Sequence, residues 1–414
     1  MKNIQIIYTM VAKLIPCFSV FSILRLSFAI VFFLLSLNGM SQSNIENVLT
    51  QIKQNNKSLI AITQYWNAEK LQFKTGLTPY NPTLEYDYLT GNPANTNFQS
   101  ELNITQAFDF PTAYFKKNQL AKQQVIQSDF KLTSIRQDIL LDAKQVCLKL
   151  IYHNKLQFRL NYQKKILEEL LSVYKTKMEK GDANILEINK VKLQLIEIKK
   201  EFQVNISEVN QLNQKIIELN GGLAISFNDT TYPVSPSLPP FEKLETDYES
   251  NDPLLKNLEQ GKIIAQKQIE VSRALSFPKM ELGYHYQGIS GQNYNGIHTG
   301  ISIPLWEKRN TVKQKQAQSR FADLELQAHI NEHYYHIKHI YEKYSSLKII
   351  LEEYQSVYLT INNFELLNKA LALGEINTIQ YFTEVNYYHS SFNNYLQTEM
   401  EYYQTIAELY KYQL

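Results

Sequence analysis

Pro278-Lys-Met-Glu-Leu-Gly-Tyr-His-Tyr-Gln287 alternates residue by residue: Met280, Leu282, Tyr284 and Tyr286 fall on one side, Lys279, Glu281, Gly283, His285 and Gln287 on the other. A period of two marks a strand with one apolar and one polar face. After a Gly/Asn/Ser-rich stretch, Gly288 to Gly296, the pattern resumes with Ile297, Thr299, Ile301, Ile303 and Leu305 against His298, Gly300, Ser302 and Pro304, so the pair reads as a hairpin. Pro82 to Thr90 and Phe98 to Phe108 form a second one, with Leu84, Tyr86, Leu102 and Ile104 on its apolar face and Glu85, Asp87, Glu101 and Asn103 on its polar face. The rest of the chain reads as helix.

Two hairpins among several hundred helical residues are too few to build a sheet core of their own. Alternating segments of about 9 to 11 residues suit a transmembrane barrel, in which apolar side chains face lipid and polar ones the lumen. Lipid tolerates no open sheet edge and the smallest bacterial barrels have about 8 strands, so four strands per chain imply an oligomer. Glu85, Asp87, Glu101, Asn103, Glu281 and His285 are then the expected lumen-facing positions. A soluble antiparallel sheet covering one helix face would produce the same alternation.

The helices carry a repeat. From Pro111, placed as an N1 proline, no proline or glycine occurs before Gly181, which predicts a rod of about 100 Å at 1.5 Å per residue. Its partner runs from Asn184 to Asn220, with Ile188, Val191, Leu195, Ile198 and Phe202 stepping by 3 and 4 as a coiled-coil seam. Between them Gly181 suits a left-handed helix stop, and Asn184 with Glu187 has the form of a capping box. A first helix, Ile45 to about Phe73, precedes the first hairpin. In the second half a helix from Pro253 to Ala274 leads into the second hairpin, then a rod from about Glu307 to Leu373 with a seam through Ile340, Tyr344, Leu347, Leu351, Tyr354, Tyr358 and Ile361. Gly374 and Asn377-Thr-Ile-Gln380 repeat the stop and start. The turn glycines differ by 374 − 181 = 193 positions and the strand-opening prolines by 278 − 82 = 196, the offset expected of a duplicated helix, strand, strand, helix, helix unit. The expected organisation is a signal over 1–42, a first repeat over 43–222, a proline-bearing linker over 223–250 and a second repeat over 251–414.

Composition narrows the function. Lys+Arg 42 against Asp+Glu 40 gives a formal charge of +2, with no basic excess to serve nucleic acid. Residues 1 to about 42 combine Lys2, Lys13 and Arg25 with an apolar run from Leu26 to Leu37 and the small residues Gly39 and Ser41, as in a secretory signal; a retained anchor over Phe18 to Leu37 is the alternative. Cys17 lies in that segment and Cys147 inside a rod, which leaves no disulfide or thiolate metal site. No phosphate loop or nucleophile elbow is present, and no catalytic residue or cofactor is expected. His329, His333, His336 and His339, spaced by 4, 3 and 3 on one helix, are the one candidate metal cluster, with Glu332 nearby. Packing between rods is the plainer use of these side chains.

The chain resembles the TolC-type outer-membrane efflux channels, the outer membrane factors. The likeness is carried by Gly296-Ile-His-Thr-Gly-Ile-Ser-Ile-Pro-Leu-Trp306, by Gly374-Glu-Ile-Asn-Thr-Ile379 and by the matching turn at Gly181. It implies a homotrimer in outer-membrane lipid whose protomers give 3 × 4 = 12 strands to one barrel, continued by a helical barrel in the periplasm. It implies no chemistry, only a passive duct for a periplasmic adaptor and an inner-membrane pump. The adaptor contacts carry over to Gly181, Asn184, Gly374 and Asn377. Where well-studied members close the entrance with acidic residues early in the last helix, this chain has Gln380 and Thr383. The Leu-Gly-Glu-Ile of the last turn is nearest the heavy-metal resistance branch, which makes divalent metal the candidate cargo. A periplasmic coiled-coil scaffold without a pore is the competing reading.

Overall fold

The structure, a computed structural model, describes residues 44–92, 98–234, 237–360 and 363–414. The expected signal over 1–42 and Ile361 of the second seam lie outside the described residues. In chain order the elements are α1 (Asn44–Asn55), α2 (Lys57–Gln72), β1 (Thr83–Leu89), β2 (Gln99–Phe108), α3 (Pro111–Glu179), α4 (Ile185–Leu219), α5 (Phe241–Asn251), α6 (Pro253–Ala274), β3 (Lys279–Ile289), β4 (Gln292–Ser302), α7 (Thr311–Thr360), α8 (Asn363–Leu373) and α9 (Thr378–Leu409), closed by a 3₁₀ turn, Lys411–Gln413.

The rod α3 runs unbroken for 69 residues from Pro111, roughly 100 Å at helical rise. A solitary helix draws little stability from propensity, so its persistence rests on what it buries. Leu160, Leu167 and Tyr174, spaced by seven, meet Ile188, Val191, Leu195 and Ile198 of α4 and Tyr381, Phe382 and Val385 of α9 in one cluster. Fully burying a side chain of this kind contributes about 1.5–3 kcal/mol. A second cluster joins Leu244 and Tyr248 of α5 to Ile337, Ile340 and Tyr344 of α7 and to Ile406 and Leu409 of α9. The stretch expected as a linker thus contributes a packed helix.

Other boundaries differ from the sequence reading for local reasons. The first helix divides at Asn56, whose backbone turns extended while its side chain accepts from Leu59 N–H and donates to the Leu219 carbonyl, both at 2.8 Å. An asparagine that caps a new helix competes with continuation of the old one. The rod expected from Glu307 starts at Thr311, after Asn310 at φ 67°, and is helical over its described residues, as α7 to Thr360 and as α8 from Asn363 to Leu373. The expected loop from Gly288 to Gly296 is strand apart from Ser290 (φ 54°) and Gly291 (φ 87°), a two-residue turn that pairs Ile289 with Gln292. Positive φ at both central residues matches the right-handed twist of the strands it joins.

The hairpins are not separate. β2 pairs antiparallel with β3, giving one four-stranded sheet in the order β1-β2-β3-β4. Within the chain β1 and β4 are edges, and the sheet's substantial contacts are all between strands.

Candidate functional site

Register sorts the sheet into two chemically distinct faces. Directly paired residues point the same way, so Leu84, Ile104, Tyr284 and Ile297 form one row and Tyr86, Leu102, Tyr286 and Asn295 the next, with Met280 between Phe108 and Ile301. On the reverse, Glu85, Asn103, His285 and Gly296 make a row, Asp87, Glu101, Gln287 and Tyr294 another, and Glu281 lies between Ala107 and Gly300. The six positions singled out from sequence therefore meet on one side. Gln287 Nε2 donates to Glu101 Oε1 at 2.8 Å, and Gln99 donates to the same carboxylate oxygen, so this face bonds within itself.

The apolar face is the more open one. Along β3 Met280, Leu282 and Tyr284 are exposed while Lys279, Glu281, Gly283 and His285 are half-buried, and Ile297 of β4 is 80% exposed. A sheet that folds on its own in water does the reverse. Aromatic side chains gather at both strand ends: Tyr88 stacks on Phe98 (centroids 5.5 Å) with Tyr294 at the turn end, and Phe110 meets Phe277 (5.1 Å) with Trp306 at the helix end.

At the far end of the rods are two equivalent turns. Gly181 (φ 83°) ends α3, with Gly181 N–H to the Met178 carbonyl at 3.0 Å and Asp182 N–H to Lys177 at 2.8 Å. Gly374 (φ 76°) ends α8 likewise, with Gly374 N–H to Leu371 at 3.2 Å and Glu375 N–H to Ala370 at 3.0 Å. Both are Schellman motifs, which need a left-handed residue that glycine adopts freely. Capping boxes then open the next helices. Glu187 N–H donates to Asn184 Oδ1 (3.1 Å) and Asn184 N–H to Glu187 Oε2 (3.0 Å). Gln380 N–H donates to Asn377 Oδ1 (2.9 Å) and Asn377 N–H to Gln380 Oε1 (3.0 Å). The turns sit side by side: Tyr174 and Thr378 share a hydroxyl bond of 2.5 Å, and Thr378 Oγ1 lies 3.5 Å from Glu187 Oε1. Beneath them burial pushes the Tyr381 phenol up to about 12.

Gln380 and Thr383 are exposed at the start of α9, yet each is engaged locally, Gln380 in its capping box and Thr383 donating to the Ile379 carbonyl at 2.9 Å. The histidines do not assemble. His333 turns inward beside Tyr248 (4.9 Å) with Nε2 3.7 Å from Asp252, and burial lowers its pKa below the ordinary value. His336 points toward Glu408 at 3.8 Å, and the His329 and His333 rings are 6.1 Å apart. Among the described residues no group of three or more potential ligands is placed to hold a metal ion, which corrects the candidacy of His329, His333, His336 and His339. The residues share a helix, but α5 and α9 draw them apart. Sequence reading missed an aromatic cluster between α7 and α9, in which Tyr358 lies 5.8 Å from Tyr388 and 5.3 Å from Phe392. Tyr354 and Tyr358 read as seam positions, and the signal available was the doublet Tyr387-Tyr388 facing them.

Among the described residues no helix is long and apolar enough to cross a membrane. No protein-family model matches the chain, and no curated protein matches its sequence. Solved structures do. A membrane protein from Pseudomonas aeruginosa superposes with a TM-score of 0.74 at 13% identity, covering 90% of each chain. The outer membrane protein VceC of Vibrio cholerae gives 0.70 at 11%, over 89% of this chain and 94% of that one. The CmeC outer membrane channel of Campylobacter jejuni gives 0.69 at 13%, over 89% and 85%. At these identities the likeness establishes the fold and nothing beyond it.

Proposed function

We propose that the chain is a TolC-type outer-membrane channel, the passive exit duct of a tripartite efflux system. The observation that carries this reading is the sheet, which gathers its charged side chains on one face, leaves its apolar face exposed and ends in two unpaired edges. In water such a sheet would aggregate through those edges, and in lipid it must close. Four strands are too few to close alone, and three copies supply 3 × 4 = 12, within the bacterial range. Polar rows through Glu85, Glu101 and His285 would then line the lumen, and the aromatic residues at both strand ends would sit at the two membrane interfaces. This reading places the rods in the periplasm of a Gram-negative cell, with the signal over 1–42 removed on export and the two repeats, 43–222 and 251–414, as tandem copies of one unit.

The tip turns are the proposed contacts for a periplasmic adaptor, which in turn engages an inner-membrane pump. Gly181, Asn184, Gly374 and Asn377 are all exposed there, in turns closed by the two capping boxes. The entrance constriction is assigned to Gln380 and Thr383. Divalent heavy metal is the proposed cargo on the strength of the last turn, and with the histidines apart it would pass without a resident site. A deletion strain sensitive to dyes or detergents but not to zinc, cobalt or copper would reject that cargo.

The test of the channel is reconstitution. Purified protein should migrate as a heat-modifiable oligomer of three chains and give stepwise ion conductance in a planar bilayer. A soluble monomer without conductance would replace the channel with the scaffold reading.

A further inference from the structure

Between α7, α8 and α9, close to the second tip turn, lies a groove of about 820 Å³. One wall carries Glu353, Tyr354 and Tyr358 of α7, and the other Glu384, Tyr387 and Tyr388 of α9, with Leu366 and Leu367 of α8 completing it. The aromatic walls are ordered: Tyr354 and Tyr358 stack at 6.2 Å and 14°, Tyr388 stands edge-on to Tyr358 at 5.8 Å, and Tyr358 donates to Ser391 Oγ at 2.9 Å. Both glutamates are exposed, and no lysine, arginine or histidine lines the groove among the described residues. α9 carries no lysine, and on α7 Lys348 pairs with Glu352 and not with Glu353 or Glu384.

We propose that this groove binds a flat, amphipathic organic cation, its ring system lying against the tyrosines and its charge held between Glu353 and Glu384. Size, wall chemistry and charge agree. The volume suits a ligand of several fused rings, electron-rich aromatic faces attract cations, and two carboxylates from opposite walls select positive charge without fixing one geometry. One of these rings, Tyr388, already has a cation against it, the Arg159 guanidinium of α3 at 5.1 Å. Arg159 lines the neighbouring cavity of about 790 Å³ and not this groove.

The inference goes beyond the channel reading and stands on binding alone. Ethidium fluorescence anisotropy with the purified full-length protein should show saturable binding, displaced by tetraphenylphosphonium and weakened by added salt. Glu353→Gln with Glu384→Gln should raise the dissociation constant at least tenfold while the aromatic anion anilinonaphthalene sulfonate is bound no more weakly. Both glutamates are exposed, so an unchanged circular dichroism spectrum and melting midpoint are expected and serve as the folding control. Tyr387→Ala, which removes one aromatic wall and no charge, should weaken ethidium severalfold. Absence of saturable ethidium binding, or equal affinity in the glutamine variant, would overturn the proposal. So would complete cross-linking of the Glu353→Cys variant to a second copy in the native assembly, since the groove would then be filled by protein. Conductance measured on the same sample separates this outcome from failure of the channel reading.

Discussion

Replacing Tyr284 by arginine and, separately, its neighbour His285 by arginine sets the lipid-facing and free-sheet readings against each other. Tyr284 is the middle residue of β3, five positions from each end (284 − 279 = 289 − 284 = 5), and lies on the apolar face between Ile104 and Ile297. If that face meets lipid, an arginine near the bilayer midplane costs about 2–4 kcal/mol per strand, and a trimer carries the cost three times. His285 lies on the opposite face between Asn103 and Gly296, in the row of Glu85. Arginine there gains carboxylate neighbours and should cost less than about 1 kcal/mol. On a free sheet in water neither change would matter, because Tyr284 is already 44% exposed and exposed substitutions fall within about 0.5 kcal/mol. A difference of about 2 kcal/mol is roughly thirtyfold in an assembly equilibrium. It would be read as the fraction of protein running as heat-modifiable oligomer in the outer-membrane fraction and as the urea midpoint in lipid vesicles. Equal loss from both variants, or greater loss from His285→Arg, would refute the assignment of faces.

The remaining predictions concern the helical part. Asn184→Ala and Asn377→Ala each remove a capping box and should each cost about 1 kcal/mol; thermal melts would show it, with non-additivity in the double variant because Glu187 lies 3.5 Å from Thr378. Gly221→Ala should cost at least about 2 kcal/mol, since φ is +71° and the new Cβ would lie 2.2 Å from the Asn55 carbonyl oxygen; a denaturant midpoint unchanged from wild type would contradict that packing. The Cys147 thiol, fully buried and pushed by burial from 9.0 up to about 12, should ignore a thiol reagent at pH 8 until the protein is unfolded. Because its folded pKa is raised, its contribution to stability is complete below pH 9 and is lost between pH 9 and about 12, so stability should decline over that alkaline window.

Local rules carried much of this architecture. The alternation at Met280, Leu282, Tyr284 and Tyr286, the steps of 3 and 4 through Ile188, Val191, Leu195 and Ile198 of α4 and the paired glycine and asparagine at each tip are short-range patterns, each with one good structural solution. The union of the hairpins through β2 and β3 was not legible, because pairing partners more than 170 positions apart leave no local mark. The stretch from Gly288 to Gly296 looked like loop because its Asn, Gly and Gln residues are those of turns. It forms strand since it lies at the exposed tip of a ladder already begun, where the backbone bonds and side-chain polarity is unconstrained. Likewise the histidines share a helix, and only tertiary packing shows that Asp252 and Glu408 take them in different directions.

The two halves also show how unequal segments meet a common length. Phe108 and Ile301 both flank Met280, so the strands end at one level, and Thr378 beside Glu187 places the tips at another. From strand end to turn glycine the first half uses 181 − 108 = 73 positions and the second 374 − 302 = 72. The first spends only residues 109 and 110 before its helix, the second all of 303–310. Eight extended residues would span about 26 Å, far more than the roughly 10 Å that separates 181 − 111 = 70 positions from helix start to turn glycine in the first half from 374 − 311 = 63 in the second at helical rise. The link is drawn in by successive turns, Arg309 N–H to the Trp306 carbonyl at 3.1 Å and Thr311 N–H to Lys308 at 3.2 Å, which keep it well short of its extended span. Shared ends therefore set the length of each rod, and the irregular link absorbs the difference that an unbroken helix, whose seam rotates by about 100° with every residue added, has no means to absorb.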